Sequence, residues 1–266
     1  MRVAIISDIH ANLPAFETVL KHMGSVEAIW CLGDLVGYGP QPNECISALR
    51  ERAHICVPGN HDWGALGKLD LGAFNRDARS ILEWTHSVLT PENSKYLDEL
   101  PVQQVVKWAS CTLVHASPRD PMWEYLLDLF DAAECFPLFS TRYCFLGHTH
   151  VPLIFLDVAG TVKAAIPEHD ESISLDIRPY SPNHAEHEGD EGGPRMIINP
   201  GSVGQPRDRD PRAAYMMLEL PDDPETSGWQ ATLTFWRVPY PVEETQALMK
   251  KMGFPPRLIS RLEMGV

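Results

Sequence analysis

Short apolar runs alternate with amphipathic stretches over the first 150 positions, the pattern of an α/β domain. Arg2–Ser7, Ala28–Leu32, His54–Val57, Cys111–His115 and Tyr143–Leu146 read as strands. Between the first two, Leu13–Met23 places Phe16, Val19, Leu20 and Met23 at intervals of three and four, one face of a helix, and Pro14 suits its first turn. Pro42–Arg52 and Leu69–Leu89 also read as helical. Beyond His150 the pattern changes. Leu153–Val158 and Thr161–Ala165 flank Ala159-Gly160, a hairpin turn. Met196–Asn199, Ala214–Leu220 and Ala231–Val238 add strands without full helices between them, and Val242–Met252 and Pro256–Glu263 read as helices. With no internal repeat, residues 1–266 are expected to form a single domain. Glu168–Pro194 is rich in Glu, Asp, His, Gly and Pro and offers little to bury. It reads as a flexible, solvated acidic insertion.

An apolar share of 44% suits a packed core. The balance of 22 Lys+Arg against 36 Asp+Glu, net −14, argues against a grip on long nucleic acid, which needs basic surface. Bound cations would offset part of that charge. No apolar stretch approaches the roughly 20 residues that span a bilayer. The apolar run Val3–Ile6 leads straight into Asp8, so it reads as a strand rather than a leader. The expectation is a cytoplasmic protein with no membrane contact. None of the six cysteines forms a CxxC pair, and Cys31, Cys56, Cys111 and Cys144 sit in strand-like runs. They read as buried free thiols in a reducing compartment.

The candidate chemistry is positional. Five apolar runs each end on residues that ligate metals: Asp8 and His10, Asp34, Asn60 followed by His61 and Asp62, His115, and His148 with His150. In open α/β sheets the carboxyl ends of strands meet at one edge, where ligands bind. Seven ligand-capable side chains spread from position 8 to position 150 could therefore converge. Asp8 and His10, like His148 and His150, are two apart, and an extended backbone would point both members the same way. Glycines before Asp34, Asn60 and His148 permit tight turns and close approach. Taken singly, each motif has an ordinary reading: a loop-end turn, a satisfied core histidine, a polar turn. Five in order, each at a strand end, point to a metal centre. Carboxylate, imidazole and amide oxygen together suit Mn²⁺, iron or Zn²⁺ rather than Ca²⁺ or copper.

These blocks resemble the calcineurin-like metallophosphoesterases, whose pattern runs D-x-H, G-D, G-N-H-[DE], H and G-H-x-H. Asn199-Pro200-Gly201-Ser202 is similar to a stretch in the family's small bacterial, diesterase-like members. The resemblance implies an α-β-β-α sandwich of two mixed sheets flanked by helices. It also implies two divalent metal ions (Mn²⁺, Fe²⁺/Fe³⁺ or Zn²⁺). Asp8, His10 and His150 would hold one, Asn60, His115 and His148 the other, and Asp34 both. His61 would face the substrate as a general acid or phosphate-oxygen donor, with Asp62 holding its ring and favouring its protonated form. The implied reaction is hydrolysis of a phosphoester by water activated between the two cations.

One departure narrows the substrate. Phosphatases of the family continue the second block as G-D-x-x-D-R-G, and the arginine clamps phosphate. Here the block reads Gly33-Asp34-Leu35-Val36-Gly37-Tyr38-Gly39. Without that clamp a monoanionic diester is the better-suited substrate. Asn12 and Arg207, with Arg209 as an alternative, are the candidate substrate contacts. Met122–Leu129 is read as packing, with a lid after His115 as the alternative. The competing readings are a phosphomonoesterase, including one acting on phosphoproteins, and a non-catalytic metal-binding scaffold. The partner is then a small phosphoester, and the oligomeric state is left open.

Overall fold

The computed structural model describes residues 1–177, 194–221 and 229–266. In chain order the strands are β1 (Arg2–Ile6), β2 (Ala28–Cys31), β3 (His54–Cys56), β4 (Gln103–Val106), β5 (Cys111–Val114), β6 (Tyr143–Phe145), β7 (Pro152–Val158), β8 (Thr161–Ala165), β9 (Ser172–Asp176), β10 (Arg195–Pro200), β11 (Ala213–Glu219) and β12 (Gln230–Val238). The helices are α1 (Leu13–Met23), α2 (Pro42–Arg50), α3 (Asn60–Ala65), α4 (Arg76–Val88), α5 (Pro91–Asp98), α6 (Leu129–Cys135), α7 (Val242–Lys251) and α8 (Pro256–Met264).

The strands form two mixed six-stranded sheets, ordered β3-β2-β1-β11-β12-β9 and β4-β5-β6-β10-β7-β8. Their side chains alternate between two buried layers, because successive residues of a strand point to opposite faces. In β1, Ala4 and Ile6 join Phe16, Val19 and Met23 of α1, while Val3 and Ile5 join Trp30, Leu113, Phe145 and Met216 between the sheets. In β6, Tyr143 and Phe145 face the inter-sheet core, and Cys144 packs outward with Ala132 and Cys135 of α6. Each sheet thus buries one face on the other sheet and one on helices, the α-β-β-α sandwich the resemblance implied. All six cysteines are buried free thiols.

Within the first sheet β1, β2 and β3 run parallel, with Ile6 beside Cys31 and Cys31 beside Cys56. Within the second, β5 and β6 run parallel, with Leu113 beside Phe145. Their carboxyl ends are therefore level. The two edges are joined directly: His148 N–H donates to Asp8 Oδ2 at 3.0 Å and His115 Nδ1 to the Leu32 carbonyl at 2.7 Å.

Two expectations need correction. The helix expected over Leu69–Leu89 breaks into a single tight turn at Leu71–Ala73 and α4, because Asp70 and Asn75 each accept a following backbone N–H and cap a new start. The flexible insertion expected over 168–194 contains β9, the edge strand beside β12, with Leu175 and Ile177 buried. Ile173, Leu175 and Ile177 alternate with polar residues, and their acidic surroundings hid that period of two. Residues 178–193 of that stretch lie outside the described residues.

Candidate metal centre

At the level strand ends the chain turns sharply. Asp8, His10, Asp34, His148 and His150 all have left-handed backbones, with φ of 54°, 50°, 55°, 64° and 61°. The pairs Asp8/His10 and His148/His150 are therefore not extended, contrary to expectation. Left-handed geometry costs a non-glycine residue roughly 1–2 kcal/mol, and such strain clusters at functional sites. It is held by backbone bonds between neighbouring turns: Asp8 N–H to the Gly33 carbonyl at 3.0 Å and His10 N–H to the Asp34 carbonyl at 2.9 Å. The turns also approach closely. A side chain on Gly59 would overlap Asp34 Oδ1, and one on Gly147 would overlap Ser7 Oγ.

The imidazoles are oriented from behind. His10 Nδ1 lies 3.1 Å from the Val36 carbonyl, His115 Nδ1 2.7 Å from that of Leu32, and His150 Nδ1 2.5 Å from that of Gln205. A carbonyl only accepts, so each Nδ1 carries a proton and Nε2 is left as the ligating atom, with a free lone pair in neutral His10 and His150 and, in His115, once its Nε2 proton is lost. In His148 the roles are exchanged: Nε2 donates to the Trp123 carbonyl at 3.3 Å, which leaves Nδ1 free to ligate.

The ligating atoms crowd together. His10 Nε2 is 3.1 Å from His150 Nε2, 3.6 Å from Asp34 Oδ2 and 3.8 Å from Asp8 Oδ1. His115 Nε2 is 3.5 Å from Asp34 Oδ2. Two lone pairs 3.1 Å apart repel unless a cation stands beside them. Asp8 Oδ1, Asn60 Oδ1 and His115 Nε2 are buried and have no hydrogen-bond partner, a state that is costly without a ligand. The Asp and His ligand atoms fall into two compact groups, Asp8, His10, Asp34 and His150, and Asp34, His115 and His148, with Asp34 common to both. The donor set fits a metal.

Electrostatics agree. Burial pushes the Asp34 carboxyl up, yet the His115, His61 and His10 rings hold it well below the usual range, and His150 and His115 do the same for Asp8. Burial holds His10 and His150 below the ordinary histidine value and His148 down to about 3. His115 is the exception: the Asp34 and Asp8 carboxylates outweigh burial and bring it up to about 10.

The other sequence candidates fare differently. His61 is buried beside the metal groups, its ring 4.9 Å from that of His10. Asp62 does not hold that ring. Its Oδ2 accepts the N–H of Asp34 and of Gly59, both at 2.9 Å, and its Oδ1 accepts Val36 N–H at 3.1 Å. His61 Nδ1 has no partner, and burial takes the ring down to about 4, so it is neutral at pH 7 rather than protonated. Asp62 instead fixes the loop that carries Asp34. Asn12 is no substrate contact either. Its Oδ1 caps α1 through Ala15 N–H and accepts from Thr245 Oγ1 at 2.7 Å, and its Nδ2 donates to the Gly204 carbonyl at 2.8 Å and to Tyr240 OH at 3.1 Å. All of its hydrogen-bonding capacity ties structure together.

Arg207 stands at the edge of the site. Its backbone N–H donates to the His150 carbonyl, and its guanidinium lies 5.8 Å from the Tyr38 ring centre with Nε unpaired. Tyr38, where the family's arginine would be, packs 4.4 Å from His61 and 4.8 Å from His10. A side chain at Gly37 would strike the His61 ring. Arg209 is exposed, and its backbone N–H donates to the Gly265 carbonyl. Met122 and Leu126 pack in the interior, but Tyr125, Leu127 and Leu129 are exposed. Sequence reasoning missed the contact of Trp123 and Tyr125 with His148, because nothing local encodes it.

Comparison with known proteins agrees with this geometry. Residues 1–223 match the calcineurin-like phosphoesterase superfamily domain, and the chain belongs to that metal-dependent family of phosphoester hydrolases. A crystal structure of a metallophosphoesterase from Sphaerobacter thermophilus superposes with a TM-score of 0.81 at 43% identity, covering 100% of this chain and 99% of that one. An uncharacterised protein of Methanocaldococcus jannaschii is 33% identical over 99% of this chain and 98% of its own length. A symmetrical bis(5'-nucleosyl)-tetraphosphatase of Ectopseudomonas mendocina is 30% identical over 50% of this chain and 51% of its own. The matched domain stops before β12, α7 and α8, which the Asn12 bonds to Tyr240 and Thr245 tie to the site. No helix among the described residues is long and apolar enough to cross a membrane.

Proposed function

We propose that this chain is a phosphodiesterase acting on small phosphoesters with two divalent cations, Mn²⁺, iron or Zn²⁺. Asp8, His10 and His150 would hold one, Asn60, His115 and His148 the other, and Asp34 would serve both. When bound, the cations supply activated water near neutral pH and positive charge for phosphate oxygens. The chain's own residues do the rest. The carbonyls of Val36, Leu32 and Gln205 keep three imidazoles in the ligating tautomer. His61, neutral through burial, donates a hydrogen bond to a phosphate or leaving oxygen rather than a full proton. Arg207 contributes one further positive charge at the mouth. The buried free thiols support a reducing, cytoplasmic setting.

The observation that carries the diesterase reading is the replacement of the clamp. Tyr38 fills the arginine's place and Gly37 leaves no room for the acid, so a dianionic monoester loses more than a monoanionic diester. Arg207, a guanidinium without a carboxylate partner among the described residues, favours the second reading, a phosphomonoesterase. The test compares kcat/KM for an activated diester and its matching monoester, with Mn²⁺, in the wild type and Arg207→Ala. A diester preference in both proteins supports the proposal. A wild-type monoester preference that Arg207→Ala abolishes supports the phosphatase instead.

A further inference from the structure

We infer that Tyr125 is a stacking surface for a planar aromatic group of the nucleobase kind, carried by the phosphoester whose phosphate sits at the metal centre. The inference rests on the phosphoester reading above and names its substrate class.

Tyr125 belongs to a braced loop between β5 and α6. Asp120 Oδ1 accepts the N–H of Met122 at 3.1 Å and of Trp123 at 3.2 Å. Arg119 bridges Glu124 and Asp131, 2.6 Å from the latter, and the Ser117 hydroxyl donates to Glu124. From this loop Met122 and Leu126 turn inward and are buried. The Trp123 carbonyl receives His148 Nε2, and its ring meets Phe74 at 4.8 Å, which in turn meets His61 at 5.2 Å. Tyr125 turns the other way. Its ring lies 4.1 Å from the His148 ring, tilted 35°, and half its surface is exposed. Its hydroxyl makes no hydrogen bond to the described residues.

A large ring therefore stands half open beside a site built to bind a charged group, packed on His148 but with much of its surface uncovered. The loop is fixed by ion pairs and turns, so binding there loses little freedom. Every nucleobase offers a π-face, and stacking on an aromatic side chain stabilises it substantially whatever the base. Leu127, two residues on, is also exposed. A small aliphatic ester would leave the ring uncovered.

The test is calorimetric binding of adenosine 5'-monophosphate and of ribose 5-phosphate to the Zn²⁺-loaded protein. The wild type should bind the nucleotide about ten-fold more tightly. Tyr125→Ala should erase that difference and Tyr125→Phe should keep it, while ribose 5-phosphate binds all three proteins alike. Equal wild-type affinities for the two ligands overturn the inference alone. Parallel weakening of both ligands in Tyr125→Ala also overturns it, because Tyr125 would then only prop His148. If the wild type binds neither ligand, the inference falls, while the diesterase reading stands or falls on the kcat/KM comparison of diester and monoester above.

Discussion

The Asp62 carboxylate accepts the backbone N–H of Asp34 at 2.9 Å, and with the N–H groups of Gly59 and Val36 it fixes the loop whose side chain both metal groups share. It shapes the site from behind without touching a reacting atom. Asp62→Asn leaves one oxygen for three donors and turns an amide N–H toward others. A buried donor left unpaired costs about 1–3 kcal/mol. Chemical denaturation should show a loss of that size, together with weaker metal retention.

His61 is expected to act through an N–H. His61→Ala should lower kcat by roughly 10²–10³-fold, the usual cost of one such donor. His61→Gln should recover part of the loss through its amide N–H. Metal content should stay at the wild-type level in both variants, and elemental analysis of the purified proteins checks that.

Beyond the proton lost by the activated water, metal binding should release about one proton per chain from the ligands at pH 7–8. His115, raised to about 10 by its carboxylate neighbours, is protonated in the metal-free protein and must lose that proton to ligate. His148, down at about 3, is already neutral and releases none. As pH rises through 10 this ligand contribution should vanish, leaving only the water's. Titration calorimetry in buffers of different ionisation enthalpy counts the protons.

The convergence of the candidate ligands was readable because each follows an apolar run, and parallel register then brings those ends level. The cause of the geometry was not readable. Asp8 and His10 looked like strand neighbours, but their left-handed backbones depend on hydrogen bonds to Gly33 and Asp34, far off in the chain. Asn12 and Asp62 looked like site residues because they stand beside ligands. Their partners, Thr245 and the N–H groups of residues 34, 36 and 59, are set by tertiary packing. Composition misled at β9, where an acidic stretch concealed the alternation of Ile173, Leu175 and Ile177.

That strand yields its own prediction. Leu175 packs with Ala231 and Leu233 of β12 between the sheets. Leu175→Ala should cost about 2–5 kcal/mol, as buried leucines do, and thermal denaturation measures it. A solvated insertion would show almost no change.

The central claim is a metal centre of two ions joined through Asp34, and counting them tests it most directly. Elemental analysis with anomalous scattering on the Mn²⁺-loaded protein should give two ions per chain, one beside Asp8, His10 and His150 and one beside Asn60, His115 and His148. Asp34→Asn should deplete both positions and abolish hydrolysis. A single ion in the wild type, or full occupancy and activity in Asp34→Asn, would contradict the account.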